Sequence, residues 1–60
     1  MTPVDLRQAR KTLRLTQAEL GEALGVKPRT IWTLENQTDD LPRLYALAVG
    51  MLLSVKVAAE

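Results

Sequence analysis

Residues 16–36, TQAELGEALGVKPRTIWTLEN, decide the fold of this chain. Thr16 is a favourable N-cap residue and Glu19 follows three positions later, which forms a capping box and predicts that a helix begins at the next residue. Gly25 predicts the end of this helix, because glycine adopts the left-handed conformation of a helix C-terminus without a Cβ penalty. Pro28 predicts the start of a second helix, since its fixed φ is already helical.

Both predicted helices carry one apolar face. Leu20 and Leu24 are four positions apart in the first helix, and Ile31 and Leu34 are three apart in the second, so each pair lies on one side. Two short helices joined by a tight turn that contains glycine are typical of a helix-turn-helix.

A wider set of residues carries a resemblance to a known family. Its members within the two helices are Gln17, Gly21, Gly25, Ile31, Leu34, Glu35 and Asn36, and those outside are Arg10, Leu13, Leu15 and Pro42-Arg43. This spacing resembles the DNA-binding domain of the lambdoid phage repressor and Cro family, also called the XRE family. The resemblance implies an all-α domain of four helices, or five, with a lambda-repressor-like arrangement.

Composition excludes most chemistry. The 60 residues contain no cysteine and no histidine, which removes disulfides, thiolate nucleophiles, imidazole bases and the usual zinc ligands. Ser54 has no histidine to activate it. We therefore expect no enzyme activity, no metal or cofactor, and no small-molecule ligand.

Targeting signals are also missing from the sequence. The N-terminus lacks the apolar core of a signal peptide, and the longest apolar run, 44–53, is well short of the ~18 residues that a membrane span needs. We expect a soluble, cytoplasmic protein with no membrane contact. Because the net charge is only +1, a basic surface has to come from the placement of charges.

The first helix is predicted from Pro3 to about Thr12 or Leu13, because Thr2 and Asp5 repeat the capping pattern. Arg10 lies on the inward stripe of this helix. Glu35 lies on the inward stripe of the helix that begins at Pro28. A buried charge needs a partner, so we expect these two residues to pair, and the family resemblance implies the same pair.

The helix that begins at Pro28 is the candidate reader of DNA bases. Its outward residues for base reading are Pro28, Arg29, Trp32 and Thr33. The planar fork of Arg29 can donate two hydrogen bonds to O6 and N7 of guanine, and Thr33 can contact a thymine methyl or a phosphate. Pro28 offers no hydrogen-bond donor, so we expect Arg29 and Thr33 to read the bases. Trp32 has three alternatives: contact with the sugar-phosphate wall, contact with thymine methyls, or a position folded down over Leu34 or the junction with the last helix.

A second group of residues is predicted to contact the DNA backbone. Lys27 and Thr30 lie at the opening turn of the reading helix, where free N–H groups favour a phosphate oxygen. The family resemblance implies phosphate contacts at Gln17 and near Arg14, and a minor-groove contact at Arg43. The acidic pair 39–40 is unfavourable near phosphates unless it caps the last helix or turns away.

The last helix, about residues 41–58, is apolar on nearly every side. We expect a core stripe such as Leu44, Leu47, Ala48 and Met51. The surplus apolar residues are then available to a second copy of the chain: Tyr45, Val49, Leu52, Leu53, Val55 and Val57. A 60-residue monomer cannot bury such a helix all round, which predicts a homodimer.

The sequence thus predicts one helix-turn-helix domain over residues 1–60, with a dimerisation helix at its C-terminal end. The expected partner is double-stranded DNA, and the expected function is transcriptional regulation. The family resemblance favours a Cro-like repressor of a phage or mobile element that binds a pseudopalindromic operator as a homodimer. The alternative is a helix-turn-helix protein-interaction module, such as an antitoxin or a cofactor subunit.

Overall fold

The computed structural model describes the backbone of residues 1–59 and the side chains of residues 1–56. Within this range the chain forms α1 (Pro3–Thr12), α2 (Gln17–Leu24), α3 (Pro28–Asn36) and α4 (Arg43–Ala59), and no strand. The predicted all-α class is confirmed, and the described part of the chain has four helices. None of these helices combines the length and the apolar character that a membrane crossing requires.

The first two helices begin with the capping boxes that the sequence predicts. Thr2 Oγ1 accepts a hydrogen bond from the backbone N–H of Asp5 at 3.1 Å, and the Asp5 carboxylate accepts one from the Thr2 N–H at 3.0 Å. Thr16 and Glu19 make the equivalent pair at 3.1 and 2.9 Å. Each box satisfies two N–H groups that the first turn of a helix leaves unpaired, so the starts of α1 and α2 are set locally.

The turn between α2 and α3 depends on two glycines for different reasons. Gly25 has φ 77° and ψ 26°, the left-handed conformation that a glycine accepts without strain. Gly21 allows a close approach, because a Cβ there would lie only 2.7 Å from the carbonyl oxygen of Val26. The Val26 N–H donates to the Gly21 carbonyl at 2.8 Å, which closes the turn.

The core joins all four helices. The residues with no exposed surface are Leu6, Leu20, Ile31 and Val49, and Ala9, Leu34 and Leu41 complete the buried cluster. Helix α3 packs against α2 and α1, and α4 packs against α1. The N–H of Leu41 donates to the carbonyl oxygen of Met1 at 2.9 Å, so the loop before α4 is attached to the start of the chain.

The orientation of α4 differs from the prediction. Three residues of the expected core stripe are exposed: Leu44 by 75%, Leu47 by 60% and Met51 by 69%. Val49, expected to meet a second copy, is fully buried, and Tyr45, Leu52 and Leu53 pack against this chain's own core. For Val49 the assignment to a dimer interface is wrong, whereas for Tyr45, Leu52 and Leu53, which are only partly buried, it stays a prediction. Because apolar residues surround α4, its sequence does not indicate which side faces α1.

Two further points on α4 bear on the predictions. Val55 is 61% exposed and remains available to a partner, whereas the side chain of Val57 lies outside the described residues. The helix begins at Arg43, and Asp40 lies three residues before that start, which is too far for an N-cap. The exposed apolar stripe of α4 is therefore Leu44, Leu47, Met51 and Val55.

Candidate nucleic-acid interface

Helix α3 presents its two faces as predicted. Ile31, Leu34 and Glu35 face the core, with 0%, 7% and 5% of their surface exposed. The four outward residues predicted to read bases, Pro28, Arg29, Trp32 and Thr33, are all exposed, and so is Lys27. The inner face holds α3 against α1 and α2, which leaves the outer face open along the length of the helix.

Glu35 is the anchor of this arrangement. Arg10 donates to both carboxylate oxygens, from Nε at 2.7 Å and from Nη2 at 3.3 Å, so the predicted ion pair is confirmed and is bidentate. Arg10 Nη1 also donates to the carbonyl oxygen of Leu15 at 3.1 Å. The pair therefore ties α1 both to α3 and to the segment before α2.

Two further side chains reach Glu35. Gln17 Nε2 donates to Oε1 at 3.3 Å, and Arg7 lies with its Nε 3.5 Å from the same oxygen. Arg7 Nη2 also donates to the Glu35 carbonyl oxygen at 3.4 Å. The predicted role of Gln17 is a phosphate contact, and the contact of Arg7 with Glu35 is not predicted from the sequence. The available signal for Arg7 was its position one helical turn before Arg10, on the same side of α1.

The environment of Glu35 favours its charged form. Burial alone raises the pKa of the carboxyl group, but the hydrogen bonds from Arg10 and Gln17 and the charges of Arg10 and Arg7 outweigh it. The pKa of Glu35 therefore lies below its ordinary value. A buried carboxylate with several donors fixes how α3 sits on α1 and α2, and with it the direction of the outer face.

Arg29 and Trp32 are brought together on the outer face of α3. The guanidinium carbon of Arg29 lies over the indole ring, 5.4 Å from its centroid, which is a cation–π contact. Trp32 is 49% exposed, so about half of the indole is open on the outer face. Its contacts with the sugar-phosphate wall or with thymine methyls stay predictions.

The opening turn of α3 holds the predicted phosphate contacts. Lys27 is its N-cap residue and makes no side-chain capping hydrogen bond. The Thr30 N–H donates to the Lys27 carbonyl at 3.0 Å, and the Thr30 side chain is half-buried. Gln17 is also half-buried, and because its amide donates to Glu35, its backbone N–H at the start of α2 is the clearer candidate for a phosphate.

The remaining predicted contacts lie apart from α3. Arg14 is exposed and has φ 59°, a left-handed conformation that is uncommon for a residue with a Cβ. Arg43 is exposed at the first residue of α4. Asp39 and Asp40 are exposed, and their carbonyl oxygens accept from Gln37 Nε2 at 3.1 and 3.4 Å. Across the described residues, no group of acidic side chains is placed to hold a metal ion.

A family model described as helix-turn-helix matches residues 6–49, which is more than half of the chain. The chain belongs to this family, the helix-turn-helix domains of the lambdoid repressor and Cro type. The family is one of DNA-binding, transcription-regulator domains and not of enzymes. Neither the curated proteins nor the solved structures gave a match.

Proposed function

We propose that this chain is a Cro-like repressor that inserts α3 into the major groove of a pseudopalindromic operator. The observation that carries the proposal is the separation of roles on α3, where Ile31, Leu34 and Glu35 face inward and Arg29 faces outward. The hydrogen bonds of Glu35 hold the helix from behind. A rigid support is what base reading requires, because hydrogen bonds to base edges tolerate little misplacement.

In this proposal the basic and polar residues divide into two groups. Arg29 and Thr33 contact base edges, with Trp32 beside them. Lys27, Thr30, Gln17 and Arg14 contact phosphates, and Arg43 reaches the minor groove. Phosphate contacts position the protein, whereas base contacts give it sequence preference.

A homodimer is part of the proposal, and the exposed apolar stripe of α4 supports it. Leu44, Leu47, Met51 and Val55 recur at intervals of three and four residues, so they lie along one side of the helix. A second copy packed on this stripe by a two-fold axis would place two α3 helices in successive major grooves, about 34 Å apart.

The stripe is small for a stable interface. Four side chains expose a few hundred Å² of apolar surface, whereas a standard interface buries about 800 Å² on each partner. We therefore propose that the two copies associate mainly on the operator, where adjacent half-sites hold them together. A protein-interaction module is the second candidate, because the same stripe would suit an apolar surface of another protein.

Fluorescence anisotropy tests the DNA-binding proposal. A duplex selected from a random pool is titrated with the wild type, with Arg29→Ala, and with Lys11→Ala as a control that loses an exposed positive charge from α1. Loss of a bidentate guanine contact costs about 1–3 kcal/mol, so we expect roughly fivefold to 150-fold weaker binding and loss of sequence preference for Arg29→Ala. Lys11→Ala should keep the preference.

Salt provides the second arm of the test. Affinity for DNA should fall steeply between two salt concentrations, because phosphate neutralisation releases counterions. If no duplex binds more tightly than random DNA, the repressor proposal fails and the protein-interaction module takes its place.

A further inference from the structure

The contact between Arg29 and Trp32 constrains how both can meet DNA. They are three positions apart on α3, and the guanidinium carbon lies over the indole ring at 5.4 Å from its centroid. Both side chains are exposed on the outer face of the helix. The guanidinium and the indole are therefore neighbours on the outer face before any DNA arrives.

The donors of Arg29 remain open in this arrangement. A guanidinium carries five N–H donors, and contact with one aromatic ring cannot engage all of them. Among the described residues, no carboxylate or carbonyl accepts a hydrogen bond from Arg29. The guanidinium is held beside the indole and keeps N–H donors for a DNA base.

If Arg29 pairs with a guanine, this contact determines where the indole of Trp32 lies along the DNA. A bidentate contact to O6 and N7 places the guanidinium close to the plane of the guanine. The indole centroid lies 5.4 Å from the guanidinium carbon, and base pairs follow one another at about 3.4 Å along the duplex. The indole then lies within reach of the base pair next to that guanine.

We infer that Arg29 and Trp32 read a two-base-pair step together: a guanine contacted by Arg29, and a thymine in the directly neighbouring pair whose methyl group contacts Trp32. The C5-methyl of thymine is the apolar group that the major groove offers, and most of the indole edge is apolar carbon. This inference rests on the proposed function and adds to it a specific part of the operator.

Replacement of thymine by deoxyuridine tests the inference, because it removes one methyl and changes no hydrogen-bonding group. Each thymine in a base pair directly next to a guanine-containing pair is replaced singly in the selected duplex. Binding is measured by anisotropy with the wild type and with Trp32→Ala. We expect one such replacement to weaken wild-type binding about fourfold, which is the contribution of one buried methyl group. Trp32→Ala should bind the two duplexes equally.

Two controls accompany this experiment. A thymine with no neighbouring guanine is replaced in a separate duplex and should have no effect. Circular dichroism checks that Trp32→Ala is folded, which we expect because Trp32 is half-exposed and outside the core.

The outcomes separate the inference from the proposed function. Equal binding of thymine and deoxyuridine at every position beside a guanine overturns the inference, as does an equal loss in the wild type and in Trp32→Ala. In both cases the sequence preference lost in Arg29→Ala would still support the repressor. If no duplex is bound with sequence preference, both the inference and the proposed function fail.

Discussion

Gln17 Nε2 donates a hydrogen bond to Glu35 Oε1 across 3.3 Å, so the first residue of α2 and the last turn of α3 share one buried carboxylate. The two helices of the motif are thus joined by a polar contact as well as by their apolar faces. This contact directs the Gln17 side chain inward. It leaves the Gln17 backbone N–H to meet a phosphate.

Gln17→Ala should therefore affect folding more than DNA contact. A hydrogen bond to a charged group contributes about 1.5–3 kcal/mol, so we expect the free energy of unfolding to fall by about that amount. The backbone N–H is unchanged, and DNA affinity measured well below the melting temperature should change little. Urea denaturation and anisotropy on the same preparations check both expectations. A large loss of affinity with unchanged stability would show that the side chain contacts DNA.

Glu35 should make stability depend on pH in the acid range. Its folded pKa is below the ordinary value of 4.5, so its contribution is fully present above that value and is lost as the pH falls through the lower, folded pKa. The pKa of Asp5, lowered by hydrogen bonds from the backbone and side chain of Thr2, adds a change of the same sign.

The urea midpoint, followed by circular dichroism from about pH 3 to pH 7, measures this dependence. Glu35→Gln should be less stable than the wild type at pH 7 and should show a flatter decline on acidification. Asp5→Asn serves as a control that removes the other carboxylate and keeps Glu35. A Glu35→Gln curve parallel to the wild type would contradict the assignment.

We expect Arg14 to lower the stability of the fold and to raise its affinity for DNA. Its φ of 59° is unfavourable for a side chain with a Cβ, so Arg14→Gly should raise the free energy of unfolding, by about 1 kcal/mol. The same change removes a predicted phosphate contact and should reduce the slope of log affinity against log salt by about 1. Arg14→Lys keeps both the charge and the Cβ and is the control. Unchanged DNA binding in Arg14→Gly would remove Arg14 from the interface.

Two glycines should respond in opposite ways to alanine. At Gly21 a Cβ would lie 2.7 Å from the backbone oxygen of Val26, which cannot move without shifting the turn, so we expect a loss of about 1–3 kcal/mol. At Gly50 a Cβ meets nothing within 4 Å, and alanine should add up to about 1 kcal/mol through its helix propensity. Thermal unfolding of the two variants measures the difference. Equal stability would argue against the close approach at Gly21.

The proposed dimer predicts a change in cooperativity. Leu47→Glu places a charge on the exposed apolar stripe of α4 and should abolish cooperative binding. We expect the affinity for a full operator to fall about tenfold or more, while the affinity for a half-site is retained. Val4→Glu is a matched control, because Val4 is as exposed as Leu47, at 60%, but lies on α1. Anisotropy on full and half operators makes the comparison. Retained cooperativity in Leu47→Glu would place the dimer contact elsewhere.

Local chemistry explains what the sequence predicts well. The capping boxes at Thr2 and Thr16 and the glycine at the end of α2 act within one turn of the chain, and the structure confirms the helix boundaries they predict. The pairing of Arg10 with Glu35 was also predictable, because each is a charge on an otherwise apolar stripe.

Longer-range geometry explains what the sequence does not predict. Which side of α4 faces the core depends on the surface that α1 presents, and a helix that is apolar all round carries no preference of its own. The contacts of Arg7 and Gln17 with Glu35 depend on how three helices cross, which no local pattern encodes. The contact of Arg29 with Trp32 lies within one helix, but stacking competes with solvation at an exposed site.

The hydrogen bond between Leu41 and Met1 matters to anyone who attaches a label to this protein. Residues fused ahead of Met1 would leave the fold beside the loop that carries Asp39 and Asp40. A polyhistidine tag there would bring imidazoles that protonate near pH 6.5 close to this acidic loop. A label behind α4 would emerge about 25 Å away along that helix and would leave the loop unaltered.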